Sequence, residues 1–174
     1  MMRVLVDPLA REEIGRLARV HADCFDDPWS AGMVTRVLDT ADAFGLAARI
    51  GEDGALAGFA LGRLVINECE LLSLGVAPDA RQRGLGAALL DAAMARAVAL
   101  NARGFFLEVG EFNDPARRLY DSRGLVPIGR RRAYYEFGNG ATMDALTMRC
   151  DLVQLTGRVA QSVGNQVVAG PLRP

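Results

Sequence analysis

The sequence has few of the residues that build disulfide frameworks and metal centres. Its 174 residues include one histidine, His21, and three cysteines, Cys24, Cys69 and Cys150. The cysteines are odd in number, far apart and without C-x-x-C spacing, which indicates neither a disulfide framework nor a zinc site. His21 lies inside a helical pattern, and we assign it no catalytic or metal role. We expect three buried thiols and no bound metal.

The chain also lacks a surplus of charge and a long apolar run. Twenty basic residues balance twenty-one acidic ones, so the net charge of −1 offers no general attraction to nucleic acid or to an anionic membrane. The N-terminal residues contain no apolar core of signal-peptide length, and the longest apolar region, residues 87–100, is broken by Asp91 and Arg96. These absences predict a soluble cytoplasmic protein without nucleic acid or membrane as a direct partner.

What is present is the pattern of one α+β domain, at residues 1–152. Strand-like alternation and helical spacing follow one another without an internal repeat or a linker. The predicted strands are residues 3–6, 43–50, 56–66, 68–77, 105–109, 125–135 and 142–152, and helices are predicted after Asp7-Pro8, after Ser30, at 85–102 and from Pro115 to Gly124. A turn at residues 52–54 joins two of the strands. Residues 153–174 are predicted to form a loosely attached C-terminal extension.

Residues 73–88, SLGVAPDARQRGLGAA, place a strand, a loop and an alanine-rich helix in succession. Gly84 and Gly86 let the backbone approach a ligand closely, and the first amides of the helix have no internal partners. A pyrophosphate would gain those hydrogen bonds, the positive end of the helix dipole and bidentate contacts from Arg81 and Arg83. The spacing matches neither the Walker A loop nor the dinucleotide fingerprint. The alternative is a surface turn with solvated arginines.

These residues resemble the coenzyme A loop of the GCN5-related N-acetyltransferase (GNAT) superfamily. The loop motif is Arg81-x-x-Gly84-x-Gly86, entered from Leu74-Gly75-Val76. Similarity to the RimI-like branch, the ribosomal-protein-alanine N-acetyltransferases, rests on Pro28-Trp29-Ser30, Leu107-Glu108-Val109, Asn113, Leu119-Tyr120 followed by Gly124, and Arg132-x-Tyr134-Tyr135. The resemblance covers about residues 3–152. It implies a mixed, mostly antiparallel central sheet with flanking helices and a central β-α-β cofactor-binding unit.

The resemblance also implies the donor of the acetyl group, acetyl-CoA, without a metal. The residues implied to contact it are Leu74, Gly75, Val76, Arg81, Gln82, Arg83, Gly84, Leu85, Gly86, Ala87 and Asn113. Backbone groups of the first three are expected to hold the acetyl and pantetheine portion.

Acetyl transfer to an amine needs a proton acceptor and a proton donor. Glu108 is the candidate acceptor, because strand alternation places it opposite Leu107 and Val109 and the similar family uses a glutamate at the matching position. Tyr120 is the candidate donor, since a phenol with a pKa near 10 can protonate a leaving thiolate. A packing role between helix and sheet is the alternative for Tyr120.

Three other carboxylates stay open as alternatives to Glu108. Glu68 and Glu70 begin the strand that leads to Gly75, and related acetyltransferases sometimes place the base there. Glu111 is also near, although strand alternation would point it away from Glu108. Whether the base acts directly or through water also stays open.

The RimI-like branch implies that the acceptor is the N-terminal alanine of a ribosomal protein. An α-amine, with a pKa of about 8 against about 10.4 for lysine, loses its proton more readily at neutral pH. The alternatives are a small-molecule amine, a lysine side chain, or a non-catalytic module that binds acyl-CoA. A monomer and a homodimer are both compatible with the sequence.

Two features bear on the acceptor. If their segment is a strand, Arg130, Arg132 and Tyr134 share one face, and the resemblance implies that Arg132 and Tyr134 border the acceptor site. A solvated basic face is the alternative. Where the branch commonly has Glu-Val-Arg, this chain has Glu108-Val109-Gly110, and Glu111 follows. The lost arginine and the added carboxylate, Glu111, leave the identity of the acceptor open.

Overall fold

A mixed sheet of seven strands carries the fold of the described residues. The structure is a computed structural model that describes residues 4–51 and 54–153. The strands are β1 (Leu5–Pro8), β2 (Ala43–Ile50), β3 (Ala55–Val65), β4 (Glu68–Val76), β5 (Gly104–Gly110), β6 (Val126–Glu136) and β7 (Thr142–Asp151), and the helices are α1 (Ile14–Cys24), α2 (Ala31–Leu38), α3 (Leu85–Ala99) and α4 (Asp114–Asp121). Their order across the sheet is β1-β2-β3-β4-β5-β7-β6. Only β4 and β5 run parallel, with α3 between them, so the predicted α+β fold with its central β-α-β unit is confirmed.

The helices cover the two faces of the sheet in pairs. Residues of α3 and α4 belong to one large core on the first face, while α1 and α2 build a smaller core on the second. The large core includes Leu89, Phe105 and Tyr120, and the smaller one consists of Ile14, Leu17, Val34, Phe59 and Leu61. Each face therefore holds its helices through its own apolar contacts, with the sheet as the shared layer.

The predicted helix start at Asp7-Pro8 is wrong. Both residues end β1, and α1 begins at Ile14 after a short 3₁₀ turn. Asp7 accepts a hydrogen bond from Arg49 Nε at 3.1 Å, and Glu13 binds the same guanidinium at 2.6 and 2.7 Å. Arg49 lowers the pKa of Glu13, chiefly through these hydrogen bonds. The carboxylate of Asp7, which the local pattern assigned to a helix cap, thus forms an ion pair with Arg49, a residue distant in sequence.

Strands β4 and β5 are paired over only part of their length. The last pair of their parallel ladder joins Leu71 to Leu107. Immediately beyond it, the β3–β4 ladder skips Leu72, a β-bulge that bends the strand. The ends of β4 and β5 therefore separate and leave a slot between them.

Some predictions fall outside the described residues. These are the first residue of the predicted strand at 3–6, most of the turn at 52–54, and the extension beyond residue 153. None of the described helices combines the length and the apolar character needed to cross a membrane.

The turn between β3 and β4 yields a test of backbone strain. Ile66, its first residue, has a φ of 61° and is 93% exposed. A left-handed backbone costs a side-chain-bearing residue about 1–2 kcal/mol, and most of all a β-branched one. We predict that Ile66→Gly raises the free energy of unfolding by about 1 kcal/mol, measured by urea denaturation, because glycine has no Cβ to clash.

Val65→Gly is the matched control, because Val65 ends β3 with ordinary strand backbone. It should lower the free energy of unfolding by about 0.5–1 kcal/mol. A loss of stability in both variants would contradict the strain at Ile66.

Candidate active site

The slot between the separated ends of β4 and β5 is a cleft of about 690 Å³. Sites for small molecules typically span roughly 300–1,000 Å³. Leu85, Gly86 and Leu119 line it from the face of the sheet that α3 and α4 cover, and Cys24 and Phe25 line it from the α1 side. The lining of the slot therefore comes from both faces of the sheet.

Most of the residues predicted to bind the cofactor line this slot. They are Leu74, Gly75, Val76, Arg81, Gln82, Gly84, Leu85, Gly86 and Asn113. Arg83 and Ala87 belong to the same loop and helix but not to the lining, so their contact with a cofactor stays a prediction.

The loop before α3 has a backbone suited to an anion. Gln82 and Gly84 have φ values of 60° and 84°, and Gly84 is the N-cap of α3. The Ala88 amide makes the first helical bond, to Gly84, so the amides of residues 85–87 lie where a helix offers no internal acceptor. A Cβ at Gly84 would meet no atom within 4 Å, so the space before this turn is open. Free amides and the positive end of the helix dipole therefore meet at the slot.

Arg81 is engaged with the end of β4. Its Nε donates to the carbonyl oxygen of Val76 at 3.2 Å, and the Cys24 thiol donates to the same oxygen at 3.3 Å. Burial raises the pKa of the Cys24 thiol, while a hydrogen bond from Arg81 opposes this effect. The arginine thus holds the loop, β4 and the end of α1 together at the slot.

The expectation of three buried thiols is wrong for one of them. Cys69 and Cys150 are buried, and burial raises their pKa values to about 12 and about 11. Cys24 is half-buried, because it lines the slot. Within the described residues, no group of three or more His, Cys, Asp or Glu is placed to hold a metal ion.

Glu108 lines the slot, while Leu107 and Val109 point into the core on the α3 side, as strand alternation predicts. Its Oε1 accepts a hydrogen bond from Arg131 Nη1 at 2.8 Å. Interaction with this carboxylate, together with burial, raises the pKa of Tyr134 to about 12. The Arg131 guanidinium carbon lies 4.6 Å from the centre of the Tyr134 ring.

Tyr134 lies beside this carboxylate, and the other two tyrosines of the chain line the same slot. Tyr120 is 8% exposed and lines the slot, and burial raises its pKa to about 12. Tyr135 lines the slot as well, and burial together with the charge of Glu108 raises its pKa. The three phenols are therefore protonated at neutral pH and can donate to an anion that forms here.

The three rival carboxylates have arginine partners and do not line the slot. Glu68 pairs with Arg149, Glu70 with Arg63 and Glu111 with Arg130, at 2.7, 2.8 and 2.9 Å. The lining includes Glu108 and none of these three. Geometry thus favours Glu108 among the candidates for the base.

Strand β6 departs from the predicted alternation. Its register against β7 shifts beyond Arg131, and Ala133 has a φ of 49°. Because of this irregularity, Arg131 rather than Arg132 lies beside Tyr134 and contacts the slot carboxylate. The expected shared face of Arg130, Arg132 and Tyr134 is therefore wrong, and a contact of Arg132 with an acceptor stays a prediction.

Asn113 has a local structural role at the slot. Its Oδ1 accepts a hydrogen bond from the Ala116 amide at 3.3 Å, which caps α4, and Pro115 follows in the first turn as predicted. The cap fixes the start of the helix that carries Tyr120. A direct contact between Asn113 and a cofactor stays a prediction.

Residues 14–125, more than half of the chain, match the acetyltransferase (GNAT) family. The chain therefore belongs to this family of acetyl-transferring enzymes, and its predicted membership of the GNAT superfamily is confirmed.

Individual relatives narrow the comparison. The chain is 38% identical to the N-alpha-acetyltransferase RimI of Mycobacterium tuberculosis over 156 residues. This aligned length is 85% of this chain and 92% of that protein. The crystal structure of the ribosomal-protein-S18-alanine N-acetyltransferase from Escherichia coli is similar at a TM-score of 0.78 and 25% identity, over 86% of this chain and 94% of that one. Arabidopsis thaliana NAA60 in complex with acetyl-CoA shares the fold, at a TM-score of 0.76 and 22% identity over 86% and 98%. The predicted resemblance to the RimI-like branch is confirmed.

Sequence reasoning missed three residues of the site. Cys24 and Phe25 line the slot because α1 ends there, and no motif marked this position. Arg131 contacts Glu108 through the irregularity in β6. A run of three arginines is a signal for a basic patch, but it does not indicate which of them reaches the carboxylate.

The open turn at Gly84 leads to a binding prediction. Gly84→Asp should weaken the affinity for acetyl-CoA by about 100-fold or more, because it combines a strained left-handed side chain with a negative charge at the anion site. Isothermal titration calorimetry measures this affinity.

Gly140→Asp is the matched control. Gly140 also has a positive φ, 77°, and open space at its Cβ position, but it lies in the β6–β7 loop and outside the slot lining. It should keep the affinity of the unmodified protein. Unchanged affinity in Gly84→Asp would remove the loop from the binding site.

Proposed function

We propose that this protein transfers the acetyl group of acetyl-CoA to the α-amine of a protein N-terminus, specifically a ribosomal protein that begins with alanine. The central observation is that Glu108 and Tyr120 line the same slot as the anion-binding turn before α3. A proton acceptor, a proton donor and a cradle for pyrophosphate are the parts that this reaction requires.

The donor would bind through the backbone of the slot. The turn at Gln82 to Gly86 offers amides to the pyrophosphate, and the unpaired end of β4 offers backbone groups to the pantetheine portion. Membership of the GNAT family and the acetyl-CoA complex of the Arabidopsis relative support this assignment.

Glu108 would receive the proton of the acceptor ammonium group, directly or through water. The carboxylate is paired with Arg131, whose side chain is 59% exposed. Solvent screens an ion pair with so exposed a partner, so an incoming ammonium group can replace the guanidinium. Arg131 thus forms an ion pair with the carboxylate of the base, Glu108, until an acceptor binds.

Tyr120 would supply the proton to the leaving group. The amine nitrogen forms a bond to the thioester carbonyl carbon, the carbon–sulfur bond breaks, and the thiolate takes the phenolic proton. Burial holds the pKa of Tyr120 at about 12, so the proton is in place at neutral pH. The acetylated nitrogen loses a second proton to become an amide. That proton passes through water to the tyrosinate left by the transfer, and Glu108 returns the one that it accepted to solvent.

An N-terminal α-amine is the acceptor that the chemistry favours. Its pKa of about 8 lies much closer to neutrality than the value of about 10.4 for lysine, so one carboxylate suffices as base. The names of the Mycobacterium and Escherichia relatives describe N-terminal acetylation, and the latter specifies the alanine of a ribosomal protein. A ribosomal acceptor would place the reaction in the cytoplasm.

Two peptides test the acceptor. We predict that the purified chain and acetyl-CoA acetylate a peptide with a free N-terminal alanine and no lysine, but not an N-terminally blocked peptide with an internal lysine. Mass spectrometry reads the result without interference from lysine in the enzyme, because all twenty basic residues of the chain are arginine. Acetylation of the lysine peptide alone would contradict the proposed acceptor.

Substitutions test the two catalytic roles. Glu108→Gln and Tyr120→Phe should each lower kcat by about 100-fold or more, because each removes a positioned proton carrier. Binding of acetyl-CoA should remain, since neither residue belongs to the anion-binding turn. Steady-state kinetics with the alanine peptide and calorimetry measure the two effects.

Glu70→Gln is the control for the base. Glu70 lies one strand away, pairs with Arg63 and does not line the slot. We expect its kcat to stay within about twofold of the unmodified enzyme. A loss in Glu70→Gln with normal turnover in Glu108→Gln would move the base to β4.

A further inference from the structure

Among the described residues, His21 is the one polar residue in the buried class. The proposed reaction does not use it. It lies in the last turn of α1 and is 3% exposed. Its ring stacks on the rings of Trp29 and Phe59, with centroids 5.4 Å away in both pairs, and Phe25 lies 4.4 Å away. The ring therefore forms the centre of an aromatic cluster on the α1 face of the sheet.

The hydrogen bonds of His21 determine its protonation state. The Trp29 backbone amide donates to Nδ1 at 3.2 Å, and Nε2 lies 3.3 Å from Ser73 Oγ. A backbone N–H can only donate, so Nδ1 carries no proton and the proton of the neutral ring lies on Nε2. Nε2 consequently donates to Ser73. Both bonds exist together only in the neutral form and in this tautomer.

The two partners belong to different parts of the α1 side of the slot. We call this the acceptor side, because it is the side on which Glu108 would meet the acceptor. Ser73 lies in the end of β4 and lines the slot, while Trp29 belongs to the segment at residues 25–30 that joins α1 to α2. Phe25, at the start of that segment, also lines the slot and contacts the His21 ring. His21 thus ties the segment to the slot wall on the face of the sheet that carries Glu108.

The surroundings favour the neutral ring. Burial lowers the pKa of His21 from its ordinary value of 6.5, and Asp27 in the connecting segment opposes this effect. Strands β3 and β4 face the ring with Phe59 and Ser73, which carry no charge. On α1, the raised pKa of the Cys24 thiol keeps that group neutral as well.

The sign of the pH effect follows. Because the folded state holds the pKa of His21 below 6.5, the unfolded chain binds more protons there than the folded one. The contribution of the neutral ring to stability is complete above about pH 6.5 and is lost as the pH falls through the pKa of the folded state.

We propose that His21 is a positioning residue, which in its neutral form fixes residues 25–30 to Ser73 and so shapes the acceptor side of the slot. Protonation places a hydrogen on Nδ1 against the Trp29 amide, and two donors then face each other. The segment is released, and the acceptor is bound less tightly while the anion-binding turn is unchanged. This inference rests on the proposed function for its effect on acceptor binding, but not for the His21 contacts themselves.

The chain is well suited to a direct test, because His21 is its one histidine and Trp29 its one tryptophan. An imidazolium quenches a neighbouring indole more strongly than a neutral imidazole does. We expect the tryptophan emission of the unmodified protein to titrate with a midpoint below about pH 6.5, and acrylamide to reach Trp29 more readily in acid. Emission and quenching that stay constant from about pH 7.5 down to the acid unfolding of the protein would overturn the proposal.

Two variants separate the hydrogen bond from the charge. His21→Asn keeps an acceptor near the position of Nδ1 but cannot be protonated, whereas His21→Phe keeps an aromatic ring and leaves the Trp29 amide without its partner. We expect His21→Phe to raise the KM for the alanine peptide about tenfold, with the affinity for acetyl-CoA within about twofold of the unmodified protein. His21→Asn should restore much of the KM and remove its rise in acid.

A KM that rises in acid equally in His21→Asn and in the unmodified enzyme would overturn the proposal. If His21→Phe does not fold, the comparison of His21→Asn with the unmodified enzyme still decides. Failure of acetyl transfer to both peptides would count against the proposed function, whereas the emission titration and acrylamide quenching judge the His21 contacts independently of turnover.

Discussion

The separation of β4 from β5 is the constraint on which the site depends. Neighbouring strands normally satisfy each other's backbone N–H and C=O groups, and buried groups left unpaired are costly. Here the ladder ends at Leu71 and Leu107, and the bulge at Leu72 turns β4 away. Gly75 permits this path, because a Cβ there would lie 2.7 Å from the ring of Phe59. The facing edges of β4 and β5 beyond this point thus carry backbone groups that water or a ligand must satisfy. The first amides of α3, which begins at the same place, also have no partner within the helix.

Two arginine–carboxylate ion pairs of this fold differ in burial, and therefore in their role. Arg49 is 17% exposed and bonds two carboxylates, Asp7 and Glu13, so it fixes β1 and the start of α1 to the sheet. Arg131 is 59% exposed and bonds Glu108. Water competes for the second pair far more effectively than for the first. The first pair is therefore structural, while the second can be exchanged for another cation without a large loss of stability.

The order of strands and helices could be predicted because hydrophobic periodicity and caps are local signals. Two of the three wrong predictions, the helix start at Asp7-Pro8 and the face of β6, have a common cause, which is a contact with another strand. Asp7 carries the pattern of a helix cap, but Arg49 binds it across the sheet. Ala133 adopts a left-handed backbone that its residue type disfavours, and its amide is held by Asp144 of β7. This bond is not visible in the sequence, so the sequence does not predict that Arg131 reaches the slot.

The departure from the branch pattern after Glu108 has a structural explanation. A Cβ at Gly110, where the branch commonly has arginine, would lie 2.6 Å from Met143 Cε and 3.7 Å from the Tyr135 ring. Methionine and tyrosine thus occupy the space of the missing cation. The added carboxylate of Glu111 shares Arg130 with Asp144, so one guanidinium faces two carboxylates. The side chains around Gly110 are thus apolar and aromatic, and Glu108, the carboxylate that lines the slot, keeps its exchangeable pair with Arg131.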